Sequence, residues 1–230
     1  MSRMHSPITS RLSTLLATLA LSACATGQAG TPGVVGASAG GPIDPAYIAK
    51  ARADSLRHPY TQADVDFMSH MISHHAQAIA MAQWAPSHGA SPVVQRLADR
   101  IINAQKDEIA TMQTWLRDRL KPVPEPDPAG MKMSMNGMEH VMLMPGMLTE
   151  AQMKELDGAR GAEFDRLFLT FMIQHHKGAV SMVGDLFGSS GAAMDETIFK
   201  FASDVNVDQS TEIARMEKML AALTLGITVE

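Results

Sequence analysis

Apolar positions recur at helical spacing through most of the chain beyond residue 43. Phe67, Met71, Ile72, Ile79 and Ala82 fall on one side of a helix predicted over about residues 64–85. Thr61 followed by Asp64 supplies a capping pattern at its start, and Pro86 and Gly89 close it. Ser91-Pro92 then opens a second helix. Its stripe of Val94, Leu97, Ile101, Ile109, Met112 and Leu116 runs to about Leu120. A second half starts at Thr149. Helical pattern passes through Met153 and Leu156 and continues over 161–187, with Gly158 and Gly161 placed to break or bend it. A turn at 188–191 precedes a last helix over 195–225, carrying Phe199, Val205, Ile213, Met216 and Leu220. A short helix over 45–56 leads in. Residues 122–146 fit neither period: prolines at 122, 124, 126 and 128 are followed by a run of methionines, so this stretch reads as irregular, with 121–128 a stiff spacer.

The two halves repeat one another. MISHH at 71–75 returns as MIQHH at 172–176, 101 residues later. Phe67 then corresponds to Phe168, Met71 to Met172, Ala78 to Ala179 and Met81 to Met182. The helices that follow share Q-x-x-E-I-x-x-M, at 105–112 and again at 209–216. Each half is therefore a helical hairpin that can bury only one face per helix. Packing the two together predicts an all-α four-helix bundle built from duplicated hairpins. Two separate hairpin modules joined by the proline segment are the alternative.

The amino terminus belongs to targeting rather than to the fold. Arg3 and Arg11 precede a short apolar run at 12–21, and Leu21-Ser22-Ala23-Cys24 resembles a bacterial lipoprotein signal ending in the cysteine that becomes lipidated. The run is too short for a spanning helix, and Cys24 is the chain's single cysteine, which fits lipidation better than disulfide chemistry. Residues 1–23 read as signal peptide, 24–42 as a Gly-, Ala-, Ser-, Thr- and Pro-rich tether, and 43–230 as the helical domain with its Pro- and Met-rich insert at 121–148. Removing 1–23 takes away Arg3 and Arg11 and no acidic residue, so the formal charge of -5 becomes -7. An acidic chain without a basic stripe and with few aromatics has no nucleic-acid partner in prospect. Membrane contact is expected through lipid on Cys24.

The candidate chemistry lies in histidine and methionine. His70 and His74 are one helical turn apart, as are Met71 and His75, so the first copy offers imidazole and thioether on one local surface. The second offers Met172, His175 and His176, with Phe171 where the first has His70. Adjacent histidines point about 100° apart, so neither pair sits on one narrow face. Thioethers favour monovalent copper or silver, and imidazole also accepts divalent copper, zinc, nickel and iron. Glu108 and Glu212, common to the Q-x-x-E-I motifs, could coordinate metal or accept a hydrogen bond from a ligating imidazole. Neither His pair carries the Glu-x-x-His spacing of di-iron bundles, and HExxH and CxxC are absent. The insert adds Met131, Met133, Met135, Met138, His140, Met142, Met144 and Met147. Interruption by Lys132, Ser134 and Asn136 makes this run hard to assign to a core, and it suits capture of a soft ion; an adaptable apolar flap or partner-binding loop is the plainer reading. The plainer reading of the helical methionines, Met71, Met81, Met172 and Met182, is core filling, and of the histidines, packing or bridging between helices.

Phe67–Ala82 (FMSHMISHHAQAIAMA), the MPGMLT at 144–149 and the GAEFDRLFLTFMIQHHKGAVSM at 161–182 resemble the bacterial domain-of-unknown-function 305 family over about residues 64–225. The resemblance implies a ferritin-like four-helix fold in exported or membrane-anchored proteins, some associated with periplasmic copper binding and resistance. It carries a metal role to His74, His75, His175 and His176, with Met71 and Met172 in the same motifs. The expected function is an envelope metal-binding protein facing the periplasm. It would buffer copper, Cu(I) before Cu(II), or confer resistance to it, and pass the ion to an envelope partner. A structural or protein-interaction lipoprotein without a metal is the alternative. No Gly-rich phosphate loop or nucleophile elbow is present and no catalytic residue is assigned; an enzyme stays open without a defined reaction, redox turnover by bound copper being the version nearest to these residues.

Overall fold

In the computed structural model, which describes residues 44–57, 59–135 and 138–227, the helical pattern is realised as six helices and one β-hairpin. Cys24, the signal and the tether lie outside the described residues. The order is α1 (Pro45–Arg57), α2 (Gln62–Gln83), α3 (Pro92–Asp118), β1 (Met131–Met135), β2 (Met138–Met142), α4 (Glu150–Gly158), α5 (Gly161–Gly188) and α6 (Glu196–Thr224). The described residues from 44 to 227 form one compact unit.

The fold is all-α with paired helices: α2 packs on α3, α5 on α6, and the hairpins meet through α2 and α5. Two expectations need correction. The helix count among the described residues is six rather than the four of a simple bundle, because α1 stands before the first hairpin and α4 is separate from α5. The break comes at Ala159, which is extended, and at Gly161, whose positive φ of 59° suits glycine. Gly161 N–H then donates to the His88 carbonyl at 2.8 Å, tying the new helix start to the turn after α2. The second correction is that the insert is not wholly irregular. β1 and β2 pair antiparallel, and the Met-x-Met-x-Met alternation is the strand signal.

Capping fixes the helix starts. Thr61 and Asp64 form a reciprocal capping box on α2, and Thr149 and Gln152 form one on α4. Pro92 occupies the first turn of α3, and the buried Asp195 caps α6 by accepting from Thr197 and Ile198 N–H.

The repeat also braces the two halves. Asp64, fully buried, accepts from Ala193 N–H in the α5–α6 turn at 2.7 Å. Asp165, its counterpart 101 residues on, accepts from Ser91 N–H in the α2–α3 turn at 3.1 Å. Each half thus holds the other's hairpin turn with a buried carboxylate. Losing either acceptor leaves a turn amide unpaired, buried at Ala193 and part-buried at Ser91, at a cost of about 1–3 kcal/mol.

Two hydrophobic clusters fill the interior. One gathers Met68, Met71, Ile72, Met112, Ala179 and Ile198; the other gathers Ala78, Met81, Ile101, Phe168, Met172 and Met216. Along α2 the chain passes from the first cluster to the second, and along α5 from the second to the first. In both helices the changeover falls at the histidine pair.

Candidate metal centre

His74, His75, His175 and His176 are all completely buried between the two clusters. The 100° step between neighbours splits each pair. His74 and His175 meet across the α2–α5 contact with ring centroids 3.9 Å apart and planes tilted by 39°. His75 instead reaches α3, where its Nε2 lies 2.6 Å from Glu108 Oε2, and His176 reaches α6, where its Nε2 lies 2.7 Å from Glu212 Oε2. Of the two roles the sequence left open for these glutamates, the structure displays the hydrogen bond to imidazole. Both carboxylates keep a partial view of solvent, at 19% and 24% exposure, while the rings behind them have none.

The hydrogen bonds decide which nitrogens stay bare. Burial, reinforced by His75, pushes the His74 pKa down to about 3, so this ring is neutral. Its Nε2–H donates to the Pro145 carbonyl at 3.0 Å, leaving a lone pair on Nδ1. His75 and His176 turn Nε2 to Glu108 and Glu212, so Nδ1 is the nitrogen that each of these rings leaves over. None of these three Nδ1 atoms has a hydrogen-bond partner, and neither nitrogen of His175 has one. Burial foremost, then His74, His176 and His75, holds the His175 pKa well below its ordinary value; the nearby His74 backbone carbonyl opposes this only in part. Buried polar atoms nearly always find partners, so these five imidazole nitrogens in one buried layer are the candidate ligand atoms.

The Met144–Leu148 segment lies over this layer as a strap. Gln77 pins one end: its amide N–H donates to Leu148 O at 3.0 Å, and its carbonyl accepts from Leu148 N–H at 2.6 Å. Gly178, which stands where the repeat has Gln77, clears space for the other part: a Cβ there would lie 1.9 Å from the Pro145 carbonyl oxygen. Gln174 donates to the Gly146 carbonyl at 3.2 Å. Sequence reasoning did not assign Gln77, Pro145 or Gly178; the Gln-to-Gly change between otherwise matching helices was the available signal.

On the α3–α6 side a cleft of about 410 Å³ leads to the two glutamates. Gln105 and Gln209, the first residues of the repeated motifs, line it with their buried carbonyl oxygens unpartnered. Burial and the neighbouring Glu108, Asp204 and Glu212 hold the Asp208 carboxyl above its usual range.

The methionines divide into three groups. Met71 and Met172 are fully buried, one in each hydrophobic cluster. Met144 and Met147 of the strap are also buried, in the cluster with Met71. The others form the β-hairpin, whose register pairs Met131 with Met142, Met133 with His140 and Met135 with Met138. Directly paired positions share a face, so Met131, Met133, Met138, His140 and Met142 line one side. Met131 and Met142 pack against the core, whereas Met133 and Met138 are 38% and 61% exposed. His70 is half-buried on α2, with its pKa lowered by burial against the opposing pull of Asp66. Among the described residues no three His, Cys, Asp or Glu side chains converge as a ready-made metal cage.

Known proteins share this organisation. The profile described as "Domain of unknown function (DUF305)" matches residues 64–220. A candidate secreted DUF305 protein from Streptomyces coelicolor is similar at 30% identity, covering 73% of this chain and 96% of its own, with a TM-score of 0.58. CopM in its Cu(I)-bound form is similar at 29% identity, covering 68% of this chain and 94% of that one, with a TM-score of 0.51. Its Cu(II)-bound form gives 30%, 69%, 95% and 0.52. Uncharacterized protein L153 of Acanthamoeba polyphaga mimivirus is 37% identical over 62 residues, which are 26% of this chain and 41% of that protein. The chain thus spans less than half the length of that curated relative. The chain belongs to the DUF305 family.

Proposed function

We propose that this DUF305 member binds monovalent copper in its buried imidazole layer, holds it in reserve and releases it to a partner in the cell envelope. The observation that carries the reading is the set of bare nitrogens at His74, His75, His175 and His176, enclosed in the core and forced neutral at His74 and His175. Neutral imidazoles are borderline-soft donors suited to copper. A singly charged ion is also the least costly metal to bury, and Glu108 and Glu212 stand behind the layer to balance its charge. A tetrahedral zinc site needs four donors, whereas among the described residues no three His, Cys, Asp or Glu side chains converge; an ion content with two donors asks less of the layer. Copper- and silver-bound states of the related CopM support the choice of cargo at the family level.

The methionine face of the hairpin is the proposed capture surface. Met133 and Met138 are exposed beside His140, while Met131 and Met142 reach the core. Lipid on Cys24 would hold the domain at an envelope membrane, facing the periplasm, and none of the described helices is long and apolar enough to cross one.

A second reading has its own support: the hydrogen bonds of His74, His75 and His176 tie α2 to the strap and to α3, and α5 to α6, as a purely structural or partner-binding lipoprotein would require. Titration of the protein with Cu(I) against a coloured chelator separates the two. Competition at micromolar protein, lost when the four histidines are replaced in a chain that still folds, supports copper binding; no competition sinks it.

A further inference from the structure

We infer that ions enter the imidazole layer on one side only, through a mouth in which His70, Met144 and Met182 form a transient soft-ion site. This rests on the copper reading above and concerns how that site is loaded.

The mouth is a surface pocket of about 210 Å³ at the edge of the strap, lined by Phe67, His70, Met144, Pro145, Met182 and Asp185 among others. Its soft donors come from three separate elements: an imidazole from α2, one thioether from the strap and one from α5. Pro145 is among its lining residues, and the carbonyl of that residue is the one that accepts from His74 Nε2. Pro145 thus touches both the pocket and the first buried ring. His70 also sits one helical turn before His74, on the same face of α2.

The repeat argues that this opening is particular to the first half. At the equivalent place the second half has Phe171 for His70 and Met81 for Met182. Phe171 is packed in the hydrophobic cluster at 8% exposure and Met81 is fully buried; Met144 and Met182 are themselves buried at 5% and 8%, so the difference between the halves rests on His70. The first half keeps a half-buried imidazole where the second has sealed the position with a phenyl ring.

The hairpin's position fits delivery to this mouth. Its thioether face runs from exposed Met133 and Met138 to Met131 and Met142, which pack on the cluster containing Met144. The opposite cleft, between α3 and α6, is lined by carboxylates, amides and arginines, which are hard donors or cations and a poor path for a soft ion.

The test is the rate of loading, measured apart from the amount loaded. Full-length protein in detergent is mixed with a coloured Cu(I)–chelator complex, and both the initial transfer rate and the final occupancy are read. In His70→Phe, which installs the residue of the second copy, and in Met144→Leu/Met182→Leu, the initial rate should fall about tenfold or more while final occupancy stays within about twofold of the unaltered protein. His70→Gln, which keeps a polar group of similar reach, guards against a folding defect and should also load slowly. Unchanged rates at full occupancy would overturn the mouth and leave the copper site standing. Lost occupancy in the folded variants would overturn it too, by making His70 part of the storage site. No uptake by the unaltered protein would remove the copper reading itself.

Discussion

His75 Nε2 and Glu108 Oε2 lie 2.6 Å apart, and this contact fixes which nitrogen of a buried ring is left bare. Its twin, His176 with Glu212, repeats the arrangement at 2.7 Å from the other half. A carboxylate behind an imidazole sets its tautomer and raises its basicity as a ligand. Glu108→Ala should therefore weaken Cu(I) binding by about 10–100-fold. It should also cost about 1–3 kcal/mol of stability by stranding His75 Nε2. Glu108→Gln, which keeps an acceptor oxygen, should lose affinity with a smaller loss of stability. Chelator competition and urea unfolding on the same preparations check both.

The metal-free protein should lose stability as the pH falls below about 6.5. His74 titrates near 3 when folded and His175 well below 6.5, whereas both take up protons near 6.5 when unfolded. The unfolded chain then binds more protons in this window, so acid favours it; above the window the effect is absent. The facing groups are His75 and His176, with Glu108 and Glu212 behind them. Each of the two low-pKa rings should contribute about 1.4 kcal/mol per pH unit. Urea midpoints between pH 7.5 and 5 check this, and His74→Leu should flatten the slope.

Gly178→Ala should disturb the strap, because the added Cβ would meet the Pro145 carbonyl oxygen at 1.9 Å, a backbone atom with little room to yield. A cost of about 1–3 kcal/mol is expected, together with loss of the His74–Pro145 hydrogen bond. Gly184→Ala on the same helix meets nothing within 4 Å and should be neutral or stabilising by up to about 1 kcal/mol. Thermal melts of the two variants make the comparison.

Asp165→Ala and Asp64→Ala should each destabilise the protein by about 1–3 kcal/mol, since each leaves an amide of the opposite hairpin's turn without its acceptor, part-buried at Ser91 and buried at Ala193. Asp64 also caps α2, so its replacement should be the more damaging. Denaturant unfolding of both variants tests the ranking.

The long helices were legible because their apolar stripes are regular and their starts carry caps such as Thr61 and Thr149. The duplicated HH motif pointed to the histidine layer, and Q-x-x-E placed Glu108 and Glu212 in reach of imidazole. What the sequence hid was non-local. Met131–Met135 alternates, but nothing in the chain announced that 138–142 would pair with it and bring Met133 opposite His140. The strap's role depends on Pro145 contributing a backbone carbonyl, which no side-chain pattern encodes. Met71 and Met172 stood in the sequence as ligand candidates with core filling the plainer reading; the structure packs each in a hydrophobic cluster, one on either side of the imidazole layer.

X-ray absorption at the copper edge tests the central claim most directly. The full-length protein, loaded with less than one equivalent of Cu(I), should show a first shell dominated by nitrogen at imidazole distances, with the outer-shell pattern of histidine rings. That shell should vanish when His74, His75, His175 and His176 are replaced. A first shell of sulfur alone, unchanged by those replacements, would place the stored ion on methionine and contradict a site built from the buried imidazoles.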